Sequence, residues 1–420
     1  MAFRKIFIFA FFLKFALYLD VVLRRLWHMG DSGHYMFWGQ KACEGEIFGD
    51  PHRMPLYSWF LSIFSGCTVW RGKIDLLGGG AEGPLLGQMA FTLLAGFFLY
   101  RTFEKKLEKR DLLLVVGIWL FDPVLFAYSN FIMSDILFAV NILFTAYYFY
   151  KFLEDSESFR YAALFAVFFS LSLLTRAAGL PLGLLTAFFI GVGLFKKTVK
   201  PKRLLLIASI VVLFLTPRLI SNYKKTGEFT MATQGAPWSL TVVAAVDYYD
   251  RHLPFYETEV DWFNDHPHVT PADGLKILLS KWKIWALLSL KGVARVFFGH
   301  VNIEYIRLIT GKTVVGPGFF KAAEGGEGGP MSGFGNLIAW SLGILLVLIY
   351  NGWFYRKLFL SVKKNAWGAN IAIRIFTAWA LSMTLVMALL PQIFGDARFR
   401  LGFWPILLIL YAILQKKKTE

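Results

Sequence analysis

Apolar positions run along this chain in long blocks, with polar residues gathered between the blocks rather than alternating with them. A block of about 17–22 apolar residues is long enough to cross a hydrocarbon core of roughly 30 Å as a helix. Such blocks lie at residues 4–24, 83–101, 111–128, 131–151, 161–175, 178–195, 203–219, 334–354, 371–391 and 399–415. Backbone polar groups find no water in lipid, so spanning segments of this kind are helical. The pattern predicts an all-α polytopic membrane protein of about ten spans, with both termini on one side. MAFRKIFIFAFF begins like a signal peptide, but no small-residue cleavage site follows, so it predicts an uncleaved first span.

One stretch breaks the pattern. Residues 276–310 are apolar, yet Lys281, Lys283, Lys291 and Arg295 interrupt them. A charge at mid-bilayer is expensive, so one or two amphipathic helices in the outer interface are expected. Were they to span, the topology of everything after them would invert. Two long segments then share the outer side, residues 25–82 and 220–333. Within the first, residues 32–43 and 54–70 predict short helices at the membrane surface, where Pro55 and the aromatic content favour an interfacial position. The second ends in GPGFFKAAEGGEGGPMSGFG (316–335), a glycine-rich tether or lid. The organisation is a seven-span module over 1–219, an outer loop over 220–333 and closing spans over 334–420.

Composition narrows the class. With 56% apolar and 17% charged residues, the chain is no soluble protein of 420 residues. A net charge of +16 suggests nucleic acid in a soluble protein, but here the basic clusters share one face. They are KKLEKR (105–110), KKTVKPKR (196–203), the segment from Arg356 to Lys364, and KKK (416–418). Short basic loops orient spans with that face in the cytoplasm, which predicts a cytoplasmic-membrane protein with both termini inside and no nucleic-acid partner. Cys43 and Cys67 can pair outside the membrane, but two thiols make no disulfide framework. His266 and His268 lack further ligands at metal spacing, and no phosphate-loop or dinucleotide fingerprint is present.

The unusual polar residues gather at the outer level. Asp31, in GDSGHY, precedes a surface helix and reads either as a helix N-cap or as a general base. His34 and Tyr35 follow it. Arg53, in HRMPLYSW, either snorkels or supplies a forked cation for a phosphate, and His52 is a lesser candidate beside it. Asp122 and Asp135 sit near the outer ends of the third and fourth spans, and Arg176 lies at the same level as a partner for both. They form either a structural ion pair or part of a cavity. Asp396, Arg398 and Arg400 lead into the last span on its outer side, against the positive-inside bias; the arginines either hold phosphates or anchor the helix.

These landmarks together resemble the GT-C glycosyltransferases. Asp31 with Tyr35 is similar to the acidic motif of that superfamily's first loop. Arg53 before MPLYSW resembles a segment of the branch containing protein O-mannosyltransferases and the lipid A aminoarabinose transferase. Ser134-Asp135, LLTRAAGL and DARFRLGFWP resemble further landmarks in order, as does PRLISNYKKTGEFTMATQGAPWSL (217–240), which contains Asn222 and Gln234. Ser221 stands where Arg is more usual there, and residues 241–330 match nothing assignable. The resemblance implies an inverting transferase that moves a sugar from a polyprenyl-phosphate donor to a lipid, glycan or protein acceptor on the outer side. The bacterial style of the 217–240 motif points to undecaprenyl phosphate. By the same resemblance Asp31 is the base, Asp135 a second catalytic acid and Arg53 a donor-phosphate contact; Arg176, Arg398 and Arg400, from their place at the outer level, are expected to join Arg53 at the phosphate. His34, Tyr35, His52, Asp122, Asn222, Gln234 and Asp396 line the cavity. No cofactor is certain, and a divalent cation is left open. Two other classes remain. An oligosaccharide ligase or polymerase would rely on the 220–333 loop, and a lipid-linked glycan transporter would need charges along a through-path.

Overall fold

The computed structural model describes residues 2–27, 32–50, 53–67, 80–176, 180–197, 199–227, 229–231, 243, 246–247, 271–298, 334–366, 370–389 and 397–415. Among these the regular structure is helical. In chain order the helices are α1 (Ala2–Arg24), α2 (Ser32–Cys43), α3 (Leu56–Ser65), α4 (Glu82–Phe103), α5 (Lys109–Phe121), α6 (Pro123–Tyr128), α7 (Asp135–Glu154) and α8 (Phe159–Thr175). They continue with α9 (Leu180–Phe195), α10 (Pro201–Thr226), α11 (Pro271–Ser280), α12 (Trp282–Phe298), α13 (Phe334–Ser361), α14 (Ile371–Leu389) and α15 (Trp404–Leu414). A 3₁₀ turn over Ala397–Gly402 leads into α15. Among the described residues α1, α4, α7 and α10 are long and apolar enough to cross a membrane, and α3, α8, α9, α14 and α15 are shorter apolar helices.

The chain divides into two units: residues 1–232 with 353–387 and 400–420, and residues 233–352 with 388–399. In the first unit α7 is central. It packs against α4, α8 and α15, and 78% of its apolar window is buried, against 11% for α10. Trp119, Trp379 and Trp404 are fully buried in this unit. Polar side chains inside it are matched to one another: Asn141 donates to Thr175 at 3.1 Å and Thr145 pairs with Ser172 at 3.2 Å, stitching α7 to α8. Without water, such unpaired groups would be costly. In the second unit Val243, Val246, Leu278 and Leu288 form an apolar cluster with Trp285 against it, and Lys281 meets Asp247 at 2.6 Å.

Five boundaries differ from the sequence expectation: the eighth span runs on to Ser361, the last begins at Trp404, and three more lie among the third, fourth and seventh spans. The third span is not continuous over 111–128. The helix stops at Asp122, because the residue before a proline is driven from the α region (ψ 125°), and restarts as α6 with Pro123 in its first turn. Asp122 then caps α6, its Oδ1 accepting from the Leu125 amide at 2.9 Å. The fourth span begins at Asp135 rather than 131, since residues 129–134 form a buried turn. The seventh span runs through Pro217 to Thr226, so residues 220–226 belong to α10 and not to the outer loop. At about 1.5 Å per residue, α10 outlasts a roughly 30 Å hydrocarbon core. The expected helices at 32–43 and within 54–70 form as α2 and α3, and the stretch at 276–310 contains α12 and the end of α11. Residues 299–310, His266, His268 and most of the glycine-rich tether lie outside the described residues.

Candidate active site around Tyr35 and Asp135

The site is built on the segment between α1 and α4. α3 ends at Gly66, whose positive φ of 65° turns the chain and lets Cys67 bond to Cys43 at the end of α2. The two cysteines therefore pair, and α2 and α3 become one hairpin-like unit. Gly39 lets the helices approach, for a Cβ there would lie 3.1 Å from the Cβ of Leu61.

That unit sits on the 129–134 turn. Ser32 donates from Oγ to the Ile132 carbonyl at 2.9 Å, and the Ile132 amide donates to Trp27 at 3.1 Å. Gln88 of α4 donates to the carbonyls of Phe131 (2.8 Å) and Ser129 (3.3 Å), and its own oxygen accepts from the Tyr57 hydroxyl at 2.7 Å. Burial, with Tyr35 and Asp135 nearby, holds the Tyr57 phenol well above its ordinary pKa, so it stays a donor. The carbonyls of Ser129, Phe131 and Ile132 thus each meet a side-chain donor where α2, α3 and α4 converge.

Tyr35 stands at the centre. Its ring lies edge-on to Tyr57 with centroids 4.8 Å apart, and its hydroxyl is 2.8 Å from Ser134 Oγ. The Arg53 guanidinium lies over the same ring, 4.9 Å from its centroid. Next to Ser134, the buried Asp135 engages Arg176 through Oδ1. Its Oδ2 is buried with no hydrogen-bond partner among the described residues. A cation on an aromatic ring, a tyrosine hydroxyl and a carboxylate with an unmet acceptor therefore gather where loop and helix ends meet. Such a group can take an anion at the arginine and a hydroxyl donor at the carboxylate.

The other sequence candidates fall elsewhere. Arg176 partners Asp135 and not both acids. Asp122 instead accepts from Arg400 Nη2 at 2.7 Å, both side chains fully buried. The helix break at Asp122 and the 129–134 turn separate the two carboxylates, which is why a shared partner fails. Arg400 also lies over Trp404, 4.8 Å from the ring centroid. His34 points to Asp50, with Nε2 2.7 Å from Oδ2. Asn222 is buried and donates to the Thr230 carbonyl at 2.7 Å. Asp31, His52, Gln234 and Asp396, and the side chain of Arg398, lie outside the described residues.

Sequence reading passed over four residues. Gln88 organises the turn as described. Asp50 meets His34. Arg218, inside PRLISN, is fully buried. Lys14 is a buried cation in α1 with Nζ 4.7 Å from the Phe126 ring centroid. The available signal was the same for Lys14 and Arg218, a lone charge inside an apolar run. Among the described residues no group of three or more His, Cys, Asp or Glu could hold a metal ion.

Residues 52–220 match the family model for dolichyl-phosphate-mannose-protein mannosyltransferase. No curated protein and no solved structure matches the chain. Arg53, Asp135, Arg176 and Arg218 lie inside the matched segment, while Asp31, Tyr35 and Arg400 lie outside it. The segment is less than half of the chain, and over it this membrane protein is similar to that glycosyltransferase family, a member of the GT-C superfamily.

Proposed function

We propose that this protein is an inverting glycosyltransferase that takes a sugar from a polyprenyl-phosphate donor, with undecaprenyl phosphate the carrier, at the outer face of the cytoplasmic membrane. The observation that carries the reading is the convergence of Arg53, Tyr35 and the Ser134–Asp135–Arg176 group. Arg53 contacts the carrier phosphate. The unmet Oδ2 of Asp135 accepts a hydroxyl of the sugar. Asp31 is one peptide bond from Ser32, whose hydroxyl is fixed on the Ile132 carbonyl beside this group. In this reading Asp31 accepts the proton of the acceptor hydroxyl as its oxygen bonds to the anomeric carbon. The bond from that carbon to the phosphate oxygen breaks, and its electron pair leaves with the polyprenyl phosphate. A phosphate leaves without strong acid assistance, so one base suffices.

Arg400 is assigned elsewhere in this reading: its bond to Asp122 braces α15 against the start of α6 rather than reaching the donor. The test is donor affinity in Arg53→Ala, read by binding of a short-chain polyprenyl-phosphate-mannose. A charge-assisted contact of about 1.5–3 kcal/mol predicts a loss of roughly one to two orders of magnitude. Affinity within about twofold of wild type would remove Arg53 from the donor site.

A further inference from the structure

The buried guanidinium of Arg218 lies in the last turns of α10 and, among the described residues, donates to backbone carbonyls rather than to a carboxylate. Nη2 donates to the carbonyl of Arg53 at 2.7 Å and Nε to that of Met231 at 3.0 Å. Nη1 makes a longer reach of 3.5 Å to Phe48. Asp50 is its electrostatic counterpart. The same helix end adds Ser221 to the Phe48 carbonyl (3.1 Å), Lys225 to Gly49 (2.8 Å) and Asn222 to Thr230 (2.7 Å). Two turns of α10 therefore grip Phe48, Gly49 and Arg53 before α3 and Thr230 and Met231 after α10.

Only arginine offers a rigid plane of donors that serves several carbonyls at once; lysine presents a single point of charge. Burying that cation is unfavourable unless it is well bonded, and its shortest bond here goes to the carbonyl of the very residue whose side chain lies over Tyr35. Fixing the Arg53 carbonyl fixes where its Cα sits, and so where its guanidinium is presented.

We infer that Arg218 is a positioning residue for glycosyl transfer: it holds the backbone of Arg53 so that the Arg53 side chain meets the donor phosphate, and it ties the start of the second outer segment to the same point. This inference rests on the function proposed above, and acts through Arg53 rather than on the donor.

The experiment is a double-mutant cycle on the full-length protein with Arg53→Ala, Arg218→Lys and the double variant. Donor affinity is read with short-chain polyprenyl-phosphate-mannose, and amide hydrogen exchange is followed over residues 44–50. Arg218→Lys alone is expected to weaken donor binding about five- to tenfold and to speed exchange in that segment. In the Arg53→Ala background it adds no further loss, because the group it positions is gone. Additive losses, or exchange unchanged in Arg218→Lys, overturn the role of Arg218 alone. Unchanged affinity in Arg53→Ala overturns the donor-site reading itself, and Arg218's role with it. If Arg218→Lys does not fold, Ser221→Ala removes a neighbouring contact to the Phe48 carbonyl and carries the same test. Its expected loss is about twofold, again absent without the Arg53 side chain, and a loss that persists there overturns the inference.

Discussion

Asp122 and Asp135 look alike in the sequence, two carboxylates at the ends of neighbouring apolar runs. Their surroundings separate them. Asp122 has both oxygens engaged, one on the Leu125 amide and one on Arg400, whereas Asp135 keeps Oδ2 unmet among the described residues. That difference could not be read from spacing, because partners 278 residues apart are chosen by packing rather than by local sequence. What could be read was that charges beside apolar runs call for partners, and Arg53 lies over Tyr35, Arg176 meets Asp135 and Arg400 meets Asp122. Arg400→Met would strand the Asp122 carboxylate in a dry interior, with an expected loss of about 3–5 kcal/mol. Thermal unfolding of the detergent-solubilised protein measures it. An unchanged melting temperature would contradict the bracing role given to this pair.

At the scale of elements, the short helices α2 and α3 were legible because aromatic and apolar residues cluster between turn-forming residues, and α2 forms over the expected residues 32–43. The break at Asp122 was also written in the sequence, as a residue before proline, but apolarity on both sides masked it. The continuation of α10 was hidden for the opposite reason. Its last turns are polar, LISNYKKT, and are helical with Ser221 and Lys225 donating to the carbonyls of Phe48 and Gly49. The Cys43–Cys67 bond closes a separation of 24 residues, which in the chain-entropy account contributes about 3–4 kcal/mol. Cys43→Ser is expected to lower the melting temperature and to speed hydrogen exchange in α3 more than in α7. Equal exchange in α3 with and without the bond would show that Gly39–Leu61 packing alone holds the pair.

For the whole molecule, apolar blocks identify a membrane protein, while a count of spans needs more than apolarity. Four helices among the described residues are long enough by themselves, and α8, at 17 residues, reaches only about 25 Å. The orientation proposed from the basic loops places α2–α3 outside and the α4–α5 connection inside. Two exposed positions test it, Glu46 after α2 and Lys105 after α4. Cysteine at Glu46 should react with a membrane-impermeant maleimide in intact cells, and cysteine at Lys105 only after lysis. The reverse pattern would invert the topology. The acceptor, by contrast, was not legible at this scale, because residues 241–330 carry no motif that resembles a known recognition element.

The central claim is that the first outer segment performs sugar transfer with Asp31 as base, and its most direct measurement is turnover by the Asp31→Asn variant. Purified protein, with membrane extract as the acceptor source and no ion gradient, is given saturating short-chain polyprenyl-phosphate-mannose, and release of polyprenyl phosphate is followed. Asparagine keeps the size and helix-capping capacity of aspartate but cannot take the proton. The account predicts steady release by the wild type and a fall of about 10²–10⁴ in Asp31→Asn, with donor affinity retained. A variant rate above about one third of wild type would contradict it, leaving Asp31 with only the small effect of a helix cap.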